Sequence, residues 1–541
     1  MARQLSTRLT ITGTLKAVMP LHIGGMPDSR EEDMPLAKNG LGEFYVPGTS
    51  LAGVFRDWME KHFDNKQVLN NLWGFQPPKE ERKTEKKPEG AASRIFIEDA
   101  KVTLPAGLSE ELWDSVGIER RWGTAAEGKK FDRTVLPKGS TFELSLQVDL
   151  PIEIKQANTM RAMLGYLLQA LAAGQLVLGA ATTRGLGQVK LINPQLQEVD
   201  WTRKISLLQW LSGDTKIDKL DYSGLIAADK TLKCHPPEIL HITIDWTPTG
   251  SLMTKASYEG VAVDMLPRIS GIEPGKITLV LPGSSLKGAL RNQAERIIRT
   301  VLGNGEIAED WLTQVQVPLV EYIFGSAKQA SENTEESKTL PAPGRGCLSI
   351  NTCYATNAQC TTQQWQEIEA AKTSENNQHF LYDALKEANL RQTDLPKAPN
   401  FGQGFHVGID RWTGGAAEGF LYSAIEPSNV EWEPIEMRLD LSKIRLPCEL
   451  QNAALVLLLL LLRDLSEQRL PIGFGVNRGY GNLKVNKVNF QWEKMGEINQ
   501  QHWLNDLSLQ SPFSLNQLPE TEMKQLQSDW QNWIEECTYG C

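Results

Sequence analysis

Apolar and polar residues alternate along RLTITGTLKAV (8–18) and again along LHITIDWTP (240–248), the two-residue period of a half-buried β-strand. After each segment and its loop comes a PGTS or PGSS turn that opens a helix, with Ser or Thr positioned to cap it. In the second of these helices Lys287 and Arg291 stand four apart and share one face. Further along, Ala453–Leu462 is an apolar run of ten residues. That is well short of the roughly 18–20 that span a bilayer, so it predicts a buried helix rather than a membrane segment. In both halves the order is strand, loop, helix, strands, helix, loop, strand. This β-α-β-β-α-β order predicts an α+β protein of two tandem ferredoxin-like or RRM-like domains.

The halves also align residue by residue. MLGYLLQALAAGQLVLGAATTRGLGQVKL from Met163 matches LLLLLLRDLSEQRLPIGFGVNRGYGNLKV from Leu457 without a gap, at an offset of 294. Arg184, Gly185, Gly187 and Lys190 fall on Arg478, Gly479, Gly481 and Lys484. Upstream, IERRWGTAAEG (118–128) matches IDRWTGGAAEG (409–419), pairing Arg120 with Arg411. VPGTSLAGVFRDWME (46–60) matches LPGSSLKGALRNQAE (281–295), pairing Arg56 with Arg291. Three blocks in one order indicate a tandem duplication. The expected boundaries are 1–195 for the first unit, 196–238 for a polar linker, 239–490 for the second unit and 491–541 for a tail. The tail's Trp503, Trp530 and Trp533 suit packing or subunit docking. The inserts QPPKEERKTEKKPEG (76–90) and SAKQASENTEESKTLPAPGRG (326–346) bury too little apolar surface to order themselves and predict mobile loops.

Composition narrows the function. The 541 residues are 41% hydrophobic and 23% charged, with a net charge of −10, so any nucleic-acid site is a local patch. The N-terminus has no apolar signal core, and seven scattered cysteines without a CxxC pair fit a reducing cytoplasm. The loops around Arg184 and Arg478 lack GK[ST], and their order of helix, glycines, strand is the reverse of a dinucleotide fingerprint. Clustered glycines let backbone N–H groups approach a phosphate, and the adjacent arginine adds a fixed fork. The alternative for each loop is a helix cap and tight turns.

Taken together, PLHIGG…VPGTSLAGVFR, IDRWTGGAAEG and NRGYGNLKV resemble the signature blocks of the RAMP superfamily of CRISPR-associated proteins. In particular they resemble two fused backbone units of type III effector complexes, most like type III-D. The resemblance implies a guide-RNA-binding palm in each unit and an inserted β-hairpin, the thumb, lying within 118–144 and 409–427. It implies guide contacts at Ser50, Arg56, Arg120, Arg121, Arg184, Gly185 and Gly187, and in the second unit at Ser285, Lys287, Arg291, Arg411, Arg478, Gly479 and Gly481. The implied partners are CRISPR guide RNA, complementary target RNA and other type III subunits, both backbone units and the large polymerase/cyclase-like one, with no membrane.

The family also implies one loop aspartate per unit for cutting target RNA. Asp33, before Met34-Pro35, and Asp264, in DMLP, occupy that place; Asp28, Glu31 and Glu32 compete with Asp33. RNA carries its own nucleophile in the 2′-OH, and flipping a nucleotide relaxes the geometry that keeps it out of line. With a pKa near 4, an ordinary aspartate is a weak base at neutral pH and is better suited to hold a cation or orient the hydroxyl. The expectation is metal-dependent cleavage leaving a cyclic phosphate and a 5′-hydroxyl. Asp33 and Asp264 would share Mg2+ or another divalent cation with the RNA, without a preformed cage. The alternatives are a non-catalytic guide-binding scaffold, or guide-precursor processing with His22 as general base. Cys347, Cys353 and Cys360 are too far apart for a standard zinc knuckle.

Overall fold

The computed structural model describes residues 5–26, 32–75, 90–214, 216–235, 238–303, 305–326, 344–372, 380–443, 448–493, 503–511 and 513–539. The loop acids Asp28 and Glu31 and most of both inserts (76–89 and 327–343) lie outside the described residues. Among them the chain is a mixed α and β protein with five antiparallel sheets and twelve α-helices.

Thr7–Ala17 sits inside the first unit's sheet because its alternation offers one wholly apolar face: Leu9, Ile11 and Leu15 are all fully buried. It pairs antiparallel with Thr141–Leu150 on one side and Val189–Asp200 on the other, and Ala100–Thr103 adds outside Thr141–Leu150. Gly13 marks a register shift in this strand, where a side chain would press on Leu191 and Pro194. In the second unit Ile239–Pro248 likewise lies between Ile435–Asp440 and Leu483–Trp492, and Leu348–Ile350 adds outside Ile435–Asp440 as Ile95–Ile97 does outside Thr141–Leu150. Each unit has its own core. Leu51, Phe55 and Met59 of helix Gly48–His62 and Leu164, Leu167 and Leu171 of Ile154–Ala173 close the first. The apolar run 453–462 is the buried heart of helix Cys448–Ser466 in the second. A small third cluster joins Met19, Trp113, Val135 and Leu186 of the first unit to Val280 and Tyr354 of the second.

Three expectations need correcting. Helices Gly48–His62 and Gly283–Val301 have Pro47 and Pro282 at their N-caps and take no cap bond from the turn's Ser or Thr. Their first amides are met across the sheet instead: Gly48 N–H donates to Asp99 at 2.7 Å, and Gly283 N–H to Thr352 Oγ1 at 3.3 Å. The stretch read as a linker folds onto the first unit. Ile217–Lys219 pairs with Val189–Asp200, and Tyr222–Ile226 packs at Gly165, where a side chain would lie 2.9 Å from Leu225 and Ile226. The first hairpin also begins ahead of its expected block, at Glu111, pairing Glu111–Ile118 with Ala125–Val135; the second pairs Asn400–Ile409 with Ala416–Ser428. In the tail, helix Glu520–Tyr539 lies on Cys448–Ser466, burying Trp533 and bonding Asn452 to Asp529 at 2.6 Å.

Candidate nucleic-acid interface

Asp33 and Asp264 are both exposed, and each is fastened to the base of its own hairpin. Asp33 N–H donates to Asp132 Oδ1 at 2.8 Å, and Asp132 N–H returns a bond to Asp33 Oδ2 at 3.0 Å. In the second unit Ser423 donates to Asp264 Oδ2 twice, from N–H at 2.6 Å and from Oγ at 3.1 Å. Asp132 and Ser423 each stand seven residues beyond the first alanine of their AAEG block, so they are repeat equivalents. The next residues agree: Thr134 N–H donates to Met34 O at 3.1 Å, and Ile425 N–H to Met265 O at 3.0 Å. Two loops with little sequence in common are therefore docked in one way. Glu32, the described competitor, accepts from Thr134 Oγ1 at 2.6 Å. His22 is 3% exposed, its ring 2.7 Å from Thr134 O, and burial pushes its pKa down. It is enclosed beneath the hairpin base.

The glycine loops share one feature and differ in another. Gly187 and Gly481, both with positive φ, face the carbonyls of Leu178 and Ile472, nine residues earlier in each case; a side chain would collide there. Gly185, at φ +86°, makes room for the second unit: a Cβ would lie 2.5 Å from Thr352 Oγ1, whose hydroxyl donates to Gly185 O at 3.0 Å. The close approach at Gly185 is thus to protein backbone and side chain. Its counterpart Gly479 (φ +88°) has nothing within 4 Å. Arg184 and Arg478 are exposed; Arg478 lies over the rings of Tyr422 and Phe474, at 5.2 and 5.7 Å.

Several arginines expected at RNA hold protein instead. Arg120 reaches from the first hairpin tip to Glu295 on the second unit's helix, at 2.5 Å, and Arg291 bonds the same carboxylate at 2.8 Å. Arg291 also donates to Gly325 O and Val315 O, both at 2.8 Å. Lys287 is 6% exposed, with Nζ donating to Leu348 O at 2.6 Å; burial, then Arg184, push its pKa down to about 7. Arg121 donates to Ile307 O at 3.3 Å. Arg56 pairs with Glu60 at 2.7 Å on an exposed helix face. Ser50 and Ser285, both half-buried, sit in the first turns of their helices. Arg411 is exposed at the second hairpin tip and makes no hydrogen bond or ion pair among the described residues.

A sequence profile for the RAMP superfamily matches residues 14–190 and 274–484. The chain belongs to the RAMP superfamily. No curated protein matches it. The two matched stretches fall one in each unit, so the duplication is a duplication of the RAMP unit itself. Superfamily membership makes a CRISPR-associated effector backbone subunit the natural class. Among the described residues no helix is long and apolar enough to cross a membrane.

Both RAMP units could present a carboxylate to a cation. Asp33 Oδ1 and Asp264 Oδ1 have no hydrogen-bond partner among the described residues, and no group of three or more His, Cys, Asp or Glu there forms a cage. One or two carboxylates plus substrate oxygens is the ordinary donor set for Mg2+. Sequence reasoning missed Asp132, Ser423 and Glu295. The first two were within reach, because carrying the AAEG register seven residues on lands on both; Glu295 has no local signal, since its partner Arg120 is 175 residues away.

Proposed function

We propose that this RAMP protein is a two-unit backbone subunit of a type III CRISPR effector complex. It holds guide RNA and cuts complementary target RNA at two sites. Each unit is read as a ferredoxin-like palm with a hairpin thumb. The observation that carries the reading is the equivalent docking of Asp33 and Asp264 on their hairpin bases. An acid fastened there moves with the hairpin, so the hairpin that displaces a nucleotide also fixes where the carboxylate stands relative to the freed 2′-OH. Arg184, Arg478 and Arg411, all exposed, and the half-buried Arg56 are the cations left to meet phosphates, and each positions the strand without reading bases. A bound divalent cation would supply charge neutralisation at the scissile phosphate. Asp33 and Asp264 would hold it there and orient the attacking hydroxyl.

The test is incubation of the assembled complex with guide-complementary RNA, with and without magnesium. Two spaced cuts that need the metal support this reading. Binding without cleavage favours the scaffold alternative. Cutting of free guide precursor would point to His22, which its burial disfavours.

A further inference from the structure

The recesses beside the two glycine loops have opposite chemistry. In the first unit a shallow recess, open to solvent, is lined by Trp113, Ser115, Arg133 and Arg184, and by Ser284 from the second unit. Val135, Ala181 and Leu186 complete the lining, and among the described residues no acid lines it. Among the described residues Arg133 Nε is buried without a hydrogen-bond partner, and its Nη2 reaches only Met34 Sδ, at 3.0 Å. The side chains of Ser115, Arg184 and Ser284 make no hydrogen bond or ion pair among the described residues. Ser284 lies in the first turn of the nineteen-residue helix Gly283–Val301, where partial positive charge collects. Two guanidiniums facing one space with no counter-charge repel each other, and a buried donor without an acceptor is costly. An anion answers both.

In the second unit Ala424 stands where Arg133 does and Glu426 where Val135 does, by the same AAEG register. That recess is lined by Glu426, Tyr480 and Phe474, and Tyr480 OH donates to Glu426 at 2.5 Å. It offers a carboxylate, and an anion is repelled there.

We propose that the recess between the two units is a phosphate site, formed by Arg133 and Arg184 on one side and Ser284 at the helix start on the other, and that one phosphodiester of bound RNA occupies it. The inference rests on the RNA-binding reading above. It adds a site that neither unit possesses alone.

The experiment uses the full chain, a mixed-sequence single-stranded RNA oligonucleotide and, as a second probe, inorganic phosphate against chloride at equal ionic strength. Arg133→Gln should weaken RNA binding about tenfold, the loss of one charge-assisted contact. Its salt slope should become shallower by about 0.7. Arg133→Lys, which keeps the charge and loses the fork, should lose affinity and keep the slope. RNA and phosphate should each protect Arg133 and Arg184 from phenylglyoxal, read by mass spectrometry, while chloride does not. Unchanged affinity and slope in Arg133→Gln, with Arg478→Ala still weakening RNA, overturns the site and leaves the RNA-binding reading standing. Protection by phosphate but not by RNA overturns the RNA occupant. If the chain binds no RNA, the proposed function fails, and phosphate protection alone decides whether the recess takes an anion. Protection by neither probe overturns the proposal outright.

Discussion

Arg120 and Glu295 join the two units: Nε donates to Oε2 at 2.5 Å and Nη2 to Oε1 at 3.3 Å, between residues 175 positions apart. The carboxylate is 2% exposed and also receives Arg291. Removing one member of a buried ionic group leaves its partners uncompensated, which typically costs about 3–5 kcal/mol. Glu295→Ala is therefore expected to lower urea-unfolding stability by roughly that amount, since two guanidiniums lose their acceptor at once. Arg120→Ala should cost less, because Arg291 still holds Glu295. The repeat-equivalent Glu60, 49% exposed beside Arg56, should be worth about 0–1 kcal/mol when changed to Ala. Equal losses at Glu60 and Glu295 would contradict the buried three-residue arrangement.

The glycine loops predict a graded series. Gly187→Val and Gly481→Val drive a side chain into a carbonyl and should destabilise their units severely. Gly185→Val should displace Thr352 and loosen the junction, raising amide exchange at 351–352 while each unit stays folded. Gly479→Val meets nothing within 4 Å, so only its positive φ resists, at about 1–2 kcal/mol. That makes Gly479→Val the variant in which lost guide affinity reports blocked backbone approach. Full guide affinity in a folded Gly479→Val protein would return that loop to a helix cap and turn.

Much of this was legible in the chain. The duplication, the central strands 7–17 and 239–248 and the buried leucine helix follow from period and repetition, because burying one face imposes a pattern on consecutive residues. The linker was misread because IDKL (217–220) is a short edge strand with polar residues, indistinguishable from coil until its neighbour Val189–Asp200 is in place. The candidate residues could be named from the chain, but their arrangement could not. Arg184 and Arg478 look identical in sequence, yet one abuts the second unit and the other lies open, and only the junction separates them. In sequence Lys287 is a cation that shares one helix face with Arg291; its burial depends on strand Leu348–Ile350, 61 residues on.

Lys287 makes stability depend on pH. Burial and the nearby Arg184, Arg291 and Arg345 hold its folded pKa near 7, against about 10.5 unfolded, with Cys347 acting the other way. Between those values the unfolded chain binds more protons than the folded one, so stability contributed at this site rises with pH across that window. Below pH 7 the cost of the buried charge is fully present. Relative to Lys287→Met, the natural protein should gain up to about 1.4 kcal/mol per pH unit from pH 7 upward, measured by urea titrations at several pH values. A difference that stays flat from pH 7 to 9 would mean that Lys287 is an ordinary lysine.

The fastening of the loop acids predicts local order. Asp132→Ala should speed exchange of the Asp33 amide, because that amide loses its acceptor, whereas Asp132→Ser should restore part of the protection, as Ser423 Oγ accepts from the Asp264 amide at 3.4 Å in the second unit. The Asp264 amide serves as the internal control. Exchange at Asp33 that is unchanged by Asp132→Ala would remove the fastening.

The most direct measurement is the product ladder from guide-complementary RNA, cut by assembled complexes carrying Asp33→Ala, Asp264→Ala or both. A loop acid contributes little to phosphate affinity, so target binding should stay nearly intact in all three. The expected result is loss of one product in the first variant, of a different product in the second, and of both in the double variant. A full ladder from the double variant would contradict the assignment of cleavage to these two aspartates.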